Sequence, residues 1–290
     1  MRWCALGLLG TLALLPGSVR GGVTVNVTNC HAYGANSGWL DARGDEGTNG
    51  MVVGEYYCSG YIYAANVGWL SLGDGTPANG YAYANSSATD YGVNHDRMGN
   101  LTGYAYGANI GWVTFETNYG KPRVDLCTGN LSGYVFSGNV GWLSLSNVEA
   151  HVQTDIMDTG PDTDDDGIPD PWEMAKAGDL GTLTKGGDHD SDGALDVEEY
   201  IADTGPADDE SCLRIIAVAL ANGTNTLTWT TEPTRFYSVV SADSLIDAEQ
   251  WMDCGLGRMA PDAGGTMVRR VGAGLVTGDF FRVRAYVPLR

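Results

Sequence analysis

The first half of the chain writes one phrase four times: HAYGANSGWL (31–40), GYIYAANVGWLSL (60–72), GYAYGANIGWVTF (103–115) and GYVFSGNVGWLSL (133–145). Copies of one phrase fold alike and bury their apolar faces against one another, so this repeat limits the architecture more than any other feature. Trp39, Trp69, Trp112 and Trp142 mark its register. Their spacings of 30, 43 and 30 residues place a thirteen-residue insertion between two regular pairs, and a broken fifth copy, NGYAYANSSATDYG, fills much of it. Aromatic and small residues alternate, as in Tyr104-Ala105-Tyr106; the chain turns at Gly107-Ala108-Asn109; a β-branched and aromatic run follows from Ile110 to Phe115. That is a β-hairpin pattern. The glycine before each tryptophan, such as Gly111, predicts a bulge or a place where another backbone or a ring packs close. Flat rings suit stacking on sugars, but each also buries a large apolar area. The expectation is that they form the core of a β unit short of Leu and Ile, with Trp112→Ala costing about 3–5 kcal/mol.

Residues 30–148 resemble the Gly-Tyr-x-Trp/Tyr-x-x-Asn-Ile-Gly-Trp repeats of uncharacterised secreted bacterial proteins, including the connecting phrase TGNLSGY at 128–134. The resemblance implies an exported β-rich repeat and carries no activity with it.

The formal charge of the 290-residue chain is −20, and residues 155–210 hold 19 Asp or Glu against two Lys, which places −17 in one short segment. Such acidity excludes the basic patches that nucleic acid and anionic membranes require, and favours bound cations. Calcium takes six to eight oxygens, and a twelve-residue loop supplies them from positions 1, 3, 5, 7 (a carbonyl), 9 and 12, with Gly at 6. On DTDDDGIPDPWE this frame selects Asp162, Asp164, Asp166, Ile168, Asp170 and Glu173, with Gly167 at the turn. It recurs 26 residues on, in DHDSDGALDVEE, selecting Asp188, Asp190, Asp192, Ala194, Asp196 and Glu199 around Gly193. Each loop runs into a short helical stretch. Two Ca2+ ions are therefore expected. Magnesium keeps its waters and prefers fewer protein ligands; zinc would find only His189 as a nitrogen ligand. DTDDDGIPD and its partner resemble thrombospondin type-3 repeats and the paired loops of dockerins, over about residues 158–206. This implies structural Ca2+. Pro169, where a regular EF-hand prefers an aliphatic residue, favours the thrombospondin-like form.

Residues 1–21 read as a secretory signal peptide: one Arg, an apolar run from Ala5 to Leu15, Pro16, and small residues beyond. Export permits disulfides, and of the five cysteines that follow, Cys212 and Cys254 are the better pair, with reduced thiols as the alternative. From Cys212 short alternating segments separated by turn residues predict a compact β-sandwich with Trp229 and Trp251 in its core. TRFYSVVSADSL with GDFFRVRAYV is similar to a fibronectin-type-III-like module, which implies a spacer or adhesion role.

The predicted organisation is thus mainly β: a signal peptide (1–21), an aromatic β repeat module (22–150), a calcium-binding linker with short helices (151–210) and a β-sandwich (211–290). No nucleophile elbow or nucleotide fingerprint occurs. His95-Asp96-Arg97 reads as a loop tip. The expected role is a secreted or cell-surface, calcium-binding, non-catalytic modular protein in adhesion or glycan binding. Its partners would be an extracellular glycan or surface component, with no nucleic acid and no integral membrane segment after signal cleavage. The alternative is a polysaccharide-acting hydrolase, or its accessory subunit, with the site in the aromatic repeat.

Overall fold

The computed structural model describes residues 22–44, 47–115, 118–244, 251–272 and 280–290; residues 1–21, expected to be a signal peptide, lie outside these. The fold is mainly β, with two short helices among the described residues. No helix there is long and apolar enough to cross a membrane. Two compact units form: described residues 22–164 with 169–178 and 289–290, and residues 165–168 with 179–288. The acidic segment is shared between them.

In the first unit the strands are β1 (Val25–Gly34), β2 (Gly38–Asp41), β3 (Val52–Val53), β4 (Cys58–Ser59), β5 (Tyr61–Ala64), β6 (Gly68–Ser71), β7 (Val93–His95), β8 (Leu101–Gly107) and β9 (Gly111–Thr114). They continue with β10 (Arg123–Val124), β11 (Leu131–Ser132), β12 (Tyr134–Ser137), β13 (Gly141–Ser144) and β14 (Val152–Thr154). Each copy of the phrase is one antiparallel hairpin: β1–β2, β5–β6, β8–β9 and β12–β13. The hairpins pair side by side, and β13 returns to β1 through Tyr33↔Ser144 and Gly34↔Leu143, closing an eight-stranded barrel.

Local chemistry explains the hairpin. The turn amide of Ile110 donates to Gly107 O (3.2 Å), and the next residue, Gly111, has φ +69°. A three-residue turn followed by a left-handed residue needs glycine there, and Gly38, Gly68 and Gly141 repeat the conformation. The asparagine of each turn reaches beyond its own hairpin. Asn66 Nδ2 donates to Ser37 O (3.1 Å), Asn109 to Val67 O (3.2 Å), Asn139 to Ile110 O (3.0 Å), and Asn36 back to Val140 O (3.0 Å). Every hairpin is tied to its predecessor, and the first to the fourth, so the ring of side-chain bonds closes with the sheet.

The barrel reverses the expected core. Its interior is Leu40, Leu70, Val113 and Leu143 opposite Ala32, Ile62, Ala105 and Val135. Trp39, Trp69, Trp112 and Trp142 face outward, 50, 38, 45 and 44% exposed. An eight-stranded barrel leaves room only for side chains of modest volume, and aliphatic pairs fill it, with alanine opposite the larger residue in the first and third hairpins. A Cβ on Gly34 would stand 2.4 Å from Leu143, so the closing seam depends on that glycine.

The broken fifth copy lacks the Gly-Trp half and forms no strand between 79 and 92. It buries Tyr83, whose hydroxyl accepts from Gly75 N (2.7 Å). His95 is not at an exposed loop tip: it is buried at the end of β7, with Nδ1 donating to Gly54 O (3.0 Å) and Nε2 accepting from Gly99 N (3.1 Å).

Helix α1 (Asp170–Lys176) belongs to the first unit and α2 (Asp196–Ala202) to the second. The second unit continues with β15 (Ile215–Ala221), β16 (Thr224–Thr230), β17 (Phe236–Ala242), β18 (Met252–Asp253), β19 (Thr266–Gly272) and β20 (Phe280–Tyr286). These form two three-stranded sheets, ordered β15-β16-β19 and β18-β17-β20. Asn222-Gly223, both at positive φ, make the two-residue turn between β15 and β16. Trp229 is fully buried with Leu227, Val239 and Met267, whereas Trp251 is half-exposed under the Arg282 guanidinium (4.4 Å). The expected Cys212–Cys254 bridge is not formed: Cys254 is buried in this core, and Cys212 accepts from the Arg214 guanidinium (3.6 Å).

Candidate metal centre

The second acidic loop lies wholly within the second unit and is the better framed of the two. Ser191 (φ 64°) and Gly193 (φ +97°) bend it back on itself. Its backbone amides then point at its own carboxylates: Gly193 N donates to Asp188 (3.2 Å), Asp192 N to Asp190 (3.1 Å) and Ala194 N to Asp192 (2.7 Å). One oxygen each of Asp188, Asp190 and Asp192 lies within 4.8 Å of the others. Asp196 braces the loop, accepting from His189 N (3.0 Å) and Thr184 N (2.8 Å). Position 9 of such a frame often reaches its ion through a water, which suits this engagement.

Glu199, at position 12, is 1% exposed on α2. One oxygen accepts from the Thr204 hydroxyl (3.2 Å); Oε2 is buried without a hydrogen-bond partner, as are Asp188 Oδ1 and Asp190 Oδ2. Burial, then the negative charges of Asp190, Asp192 and Asp196, push the Glu199 carboxyl up to about 8. Asp190 is raised as well, by burial and by its neighbours Asp192 and Asp188. Buried anions that face one another and lack donors are costly, and either protons or a cation must offset them. The set is all oxygen, flexible, and completed by the Ala194 carbonyl position. It fits a hard cation of calcium's size.

The first loop repeats the local geometry. Asp165 (φ 57°) and Gly167 (φ +94°) make the matching bend, and Ile168 N donates to Asp166 (2.8 Å) as Ala194 N does to Asp192. Within the continuous run Asp162–Asp166, oxygens of Asp162, Asp164 and Asp166 lie within 4.8 Å of one another. Asp170 accepts from Thr163 N (2.7 Å), as Asp196 does from His189. Glu173 is fully buried on α1, beside the fully buried Trp172.

Each helix is anchored within its own unit. A Cβ on Gly80 would stand 2.7 Å from Met174 of α1. The buried Arg235, next to β17, donates to the last carbonyls of α2, Tyr200 O (2.8 Å) and Ile201 O (3.0 Å), and the Thr234 hydroxyl donates to Asp203. Whatever holds Glu199 in place therefore bears on the C-terminal sheets. Nothing in the sequence marked Arg235 as the anchor of α2, because it stands in a turn-like stretch that gives no sign of burial.

Sequence reasoning also passed over Cys30, His31 and Asp41 on β1 and β2, whose ligating atoms lie within 4.8 Å of one another. Burial and the adjacent Asp41 carboxylate raise the Cys30 thiol, so it is protonated rather than a ready thiolate. No protein-family model, curated protein or solved structure matches this chain.

Proposed function

We propose that this is a secreted or surface-displayed, non-catalytic modular protein whose acidic loops hold about two Ca2+ ions, and that the ions fasten the loops and their helices for structural effect. The observation that carries this reading is the second loop: a 99%-buried Glu199 and two aspartates with buried oxygens that no protein donor satisfies. Asp162, Asp164, Asp166, the Ile168 carbonyl, Asp170 and Glu173 would serve the first ion; Asp188, Asp190, Asp192, the Ala194 carbonyl, Asp196 and Glu199 the second. A bound ion replaces repulsion among like charges with attraction to a common centre, and α2 transmits its fixing to Arg235. The twin loops support the thrombospondin-like reading. The apolar core that β16, β17 and β19 contribute to supports reading the C-terminal sheets as a fibronectin-like sandwich.

Extracellular calcium is plentiful, so dissociation constants on the order of 10⁻⁴ to 10⁻³ M suffice for this role. Scanning calorimetry of the full chain in EDTA and in millimolar Ca2+ tests it. The expected outcome is an upward shift of one unfolding transition with metal; superimposable scans would remove the calcium role.

A further inference from the structure

The outer face of the barrel presents its rings as four equivalent clusters. In each, a tryptophan stands directly across the hairpin from Tyr33, Tyr63, Tyr106 or Phe136, at 4.9–5.0 Å between ring centroids. Two positions earlier on the same strand follow His31, Tyr61, Tyr104 or Tyr134, at 5.9–6.4 Å from the same tryptophan. The insertion adds Tyr91 to the third cluster, 5.0 Å from Trp112. These rings are not needed to fill the barrel, which is packed from inside. A chain that places one large ring outward in each of four copies leaves apolar area in water at every one.

The charge on this face selects the occupant. The eight barrel strands carry one formal charge, Asp41, and no Lys or Arg. Nucleic acids, acidic polysaccharides and anionic lipid surfaces need cations that are missing, and a net charge of −20 repels them further. Lipid surfaces and a second copy of the chain also take Trp and Tyr, but with aliphatic side chains beside the rings to fill the apolar centre of the contact. Here the exposed aliphatic side chain on the barrel strands is Val27, and the rings are interrupted by Ser71, Thr114 and Ser144. A neutral hexopyranose with equatorial hydroxyls matches both features. Its C–H face stacks on an uncharged ring, whose electron-rich surface favours the polarised C–H groups, while its rim meets hydroxyls.

We infer that the aromatic girdle is a multivalent binding face for neutral polysaccharide, with one sugar-stacking cluster per hairpin. This rests on the non-catalytic, exported reading above but not on its calcium loops. Four weak clusters around one barrel bind a polymer more tightly than one cluster binds a single sugar.

Affinity electrophoresis of the full chain tests it, with soluble β-glucan, mannan, xylan and galactan in the gel, and sedimentation with cellulose and chitin. Retention by at least one is expected. Trp112→Ala should weaken it about tenfold, and replacing all four tryptophans by alanine should abolish it while the barrel, whose interior is untouched, stays folded by circular dichroism at the assay temperature. Retention should survive EDTA, which separates this claim from the calcium reading. Absence of retention on every neutral glycan overturns the inference. So does tryptophan-dependent binding to zwitterionic lipid vesicles, or tryptophan-dependent dimerisation in light scattering, without glycan binding.

Discussion

The barrel hairpins and the acidic loops are both internal repeats, yet they close in opposite ways. In the barrel each spare donor meets an acceptor on the neighbouring copy: Asn139 reaches Ile110, Asn109 reaches Val67, and Asn36 completes the circuit at Val140. In the second acidic loop the backbone amides satisfy one oxygen of each aspartate, while further oxygens of Asp188, Asp190 and Glu199 are buried with nothing to accept from. A repeat whose polar groups cancel around a ring folds without help. One whose like charges face a common centre leaves them to be offset by protons or, as we propose, by a cation.

Chelation should expose that difference most strongly. At a hundredfold excess of Ca2+ over its dissociation constant, each site adds about 2.7 kcal/mol of stability. EDTA should remove the second site's share from the transition of the unit that holds the second loop and leave the barrel strands folded, as two-probe thermal melts would show. If the barrel melted with the loops, the contrast would fail. Inside the barrel, Leu143→Ala should cost about 2–5 kcal/mol by opening a cavity, while Trp112→Ala, which gives up ring contacts on a half-exposed face, should cost less, about 1–2 kcal/mol. Equal losses in chemical denaturation would mean that the rings are core after all. The smallest effect concerns His95. Burial holds its imidazole below the ordinary value of 6.5, so the folded barrel binds fewer protons than the unfolded chain below that pH. Its contribution is complete above about 6.5 and is lost as pH falls through the lower folded value. A barrel melt between pH 8 and 5 should show this decline, and His95→Gln should flatten it.

The hairpins and their turns were legible because backbone conformation is a local property; the glycine before each tryptophan was marked as special, but as a bulge or close approach rather than as the left-handed end of the turn that Gly111 makes at φ +69°. The bends of both acidic loops were legible for the same local reason, with Gly167 and Gly193 at positive φ. Which face of each strand turns inward was not. Alternation shows two faces, and weighing them by ring area pointed to the tryptophans. Closure into a narrow barrel is a long-range event, and it reserves the inside for Leu143 and Val135 rather than Trp142 and Phe136. The signal was the pairing of a large with a small residue at Leu40 and Ala32 or Val113 and Ala105, legible in side-chain volume rather than in ring area. The Cys212–Cys254 pairing failed likewise, because nearness in sequence says nothing about which thiol enters the core.

The central claim is that the buried carboxylates of the second loop exist to hold a cation, and isothermal titration of Ca2+ into the full chain and into Glu199→Gln tests it most directly. The account predicts heat from about two sites in the parent chain, loss of one of them in the variant, and, above about pH 8 where the metal-free parent's Glu199 would carry its buried charge, a metal-free variant at least as stable as that parent. Identical isotherms for the two proteins, or no heat at millimolar Ca2+, would contradict it.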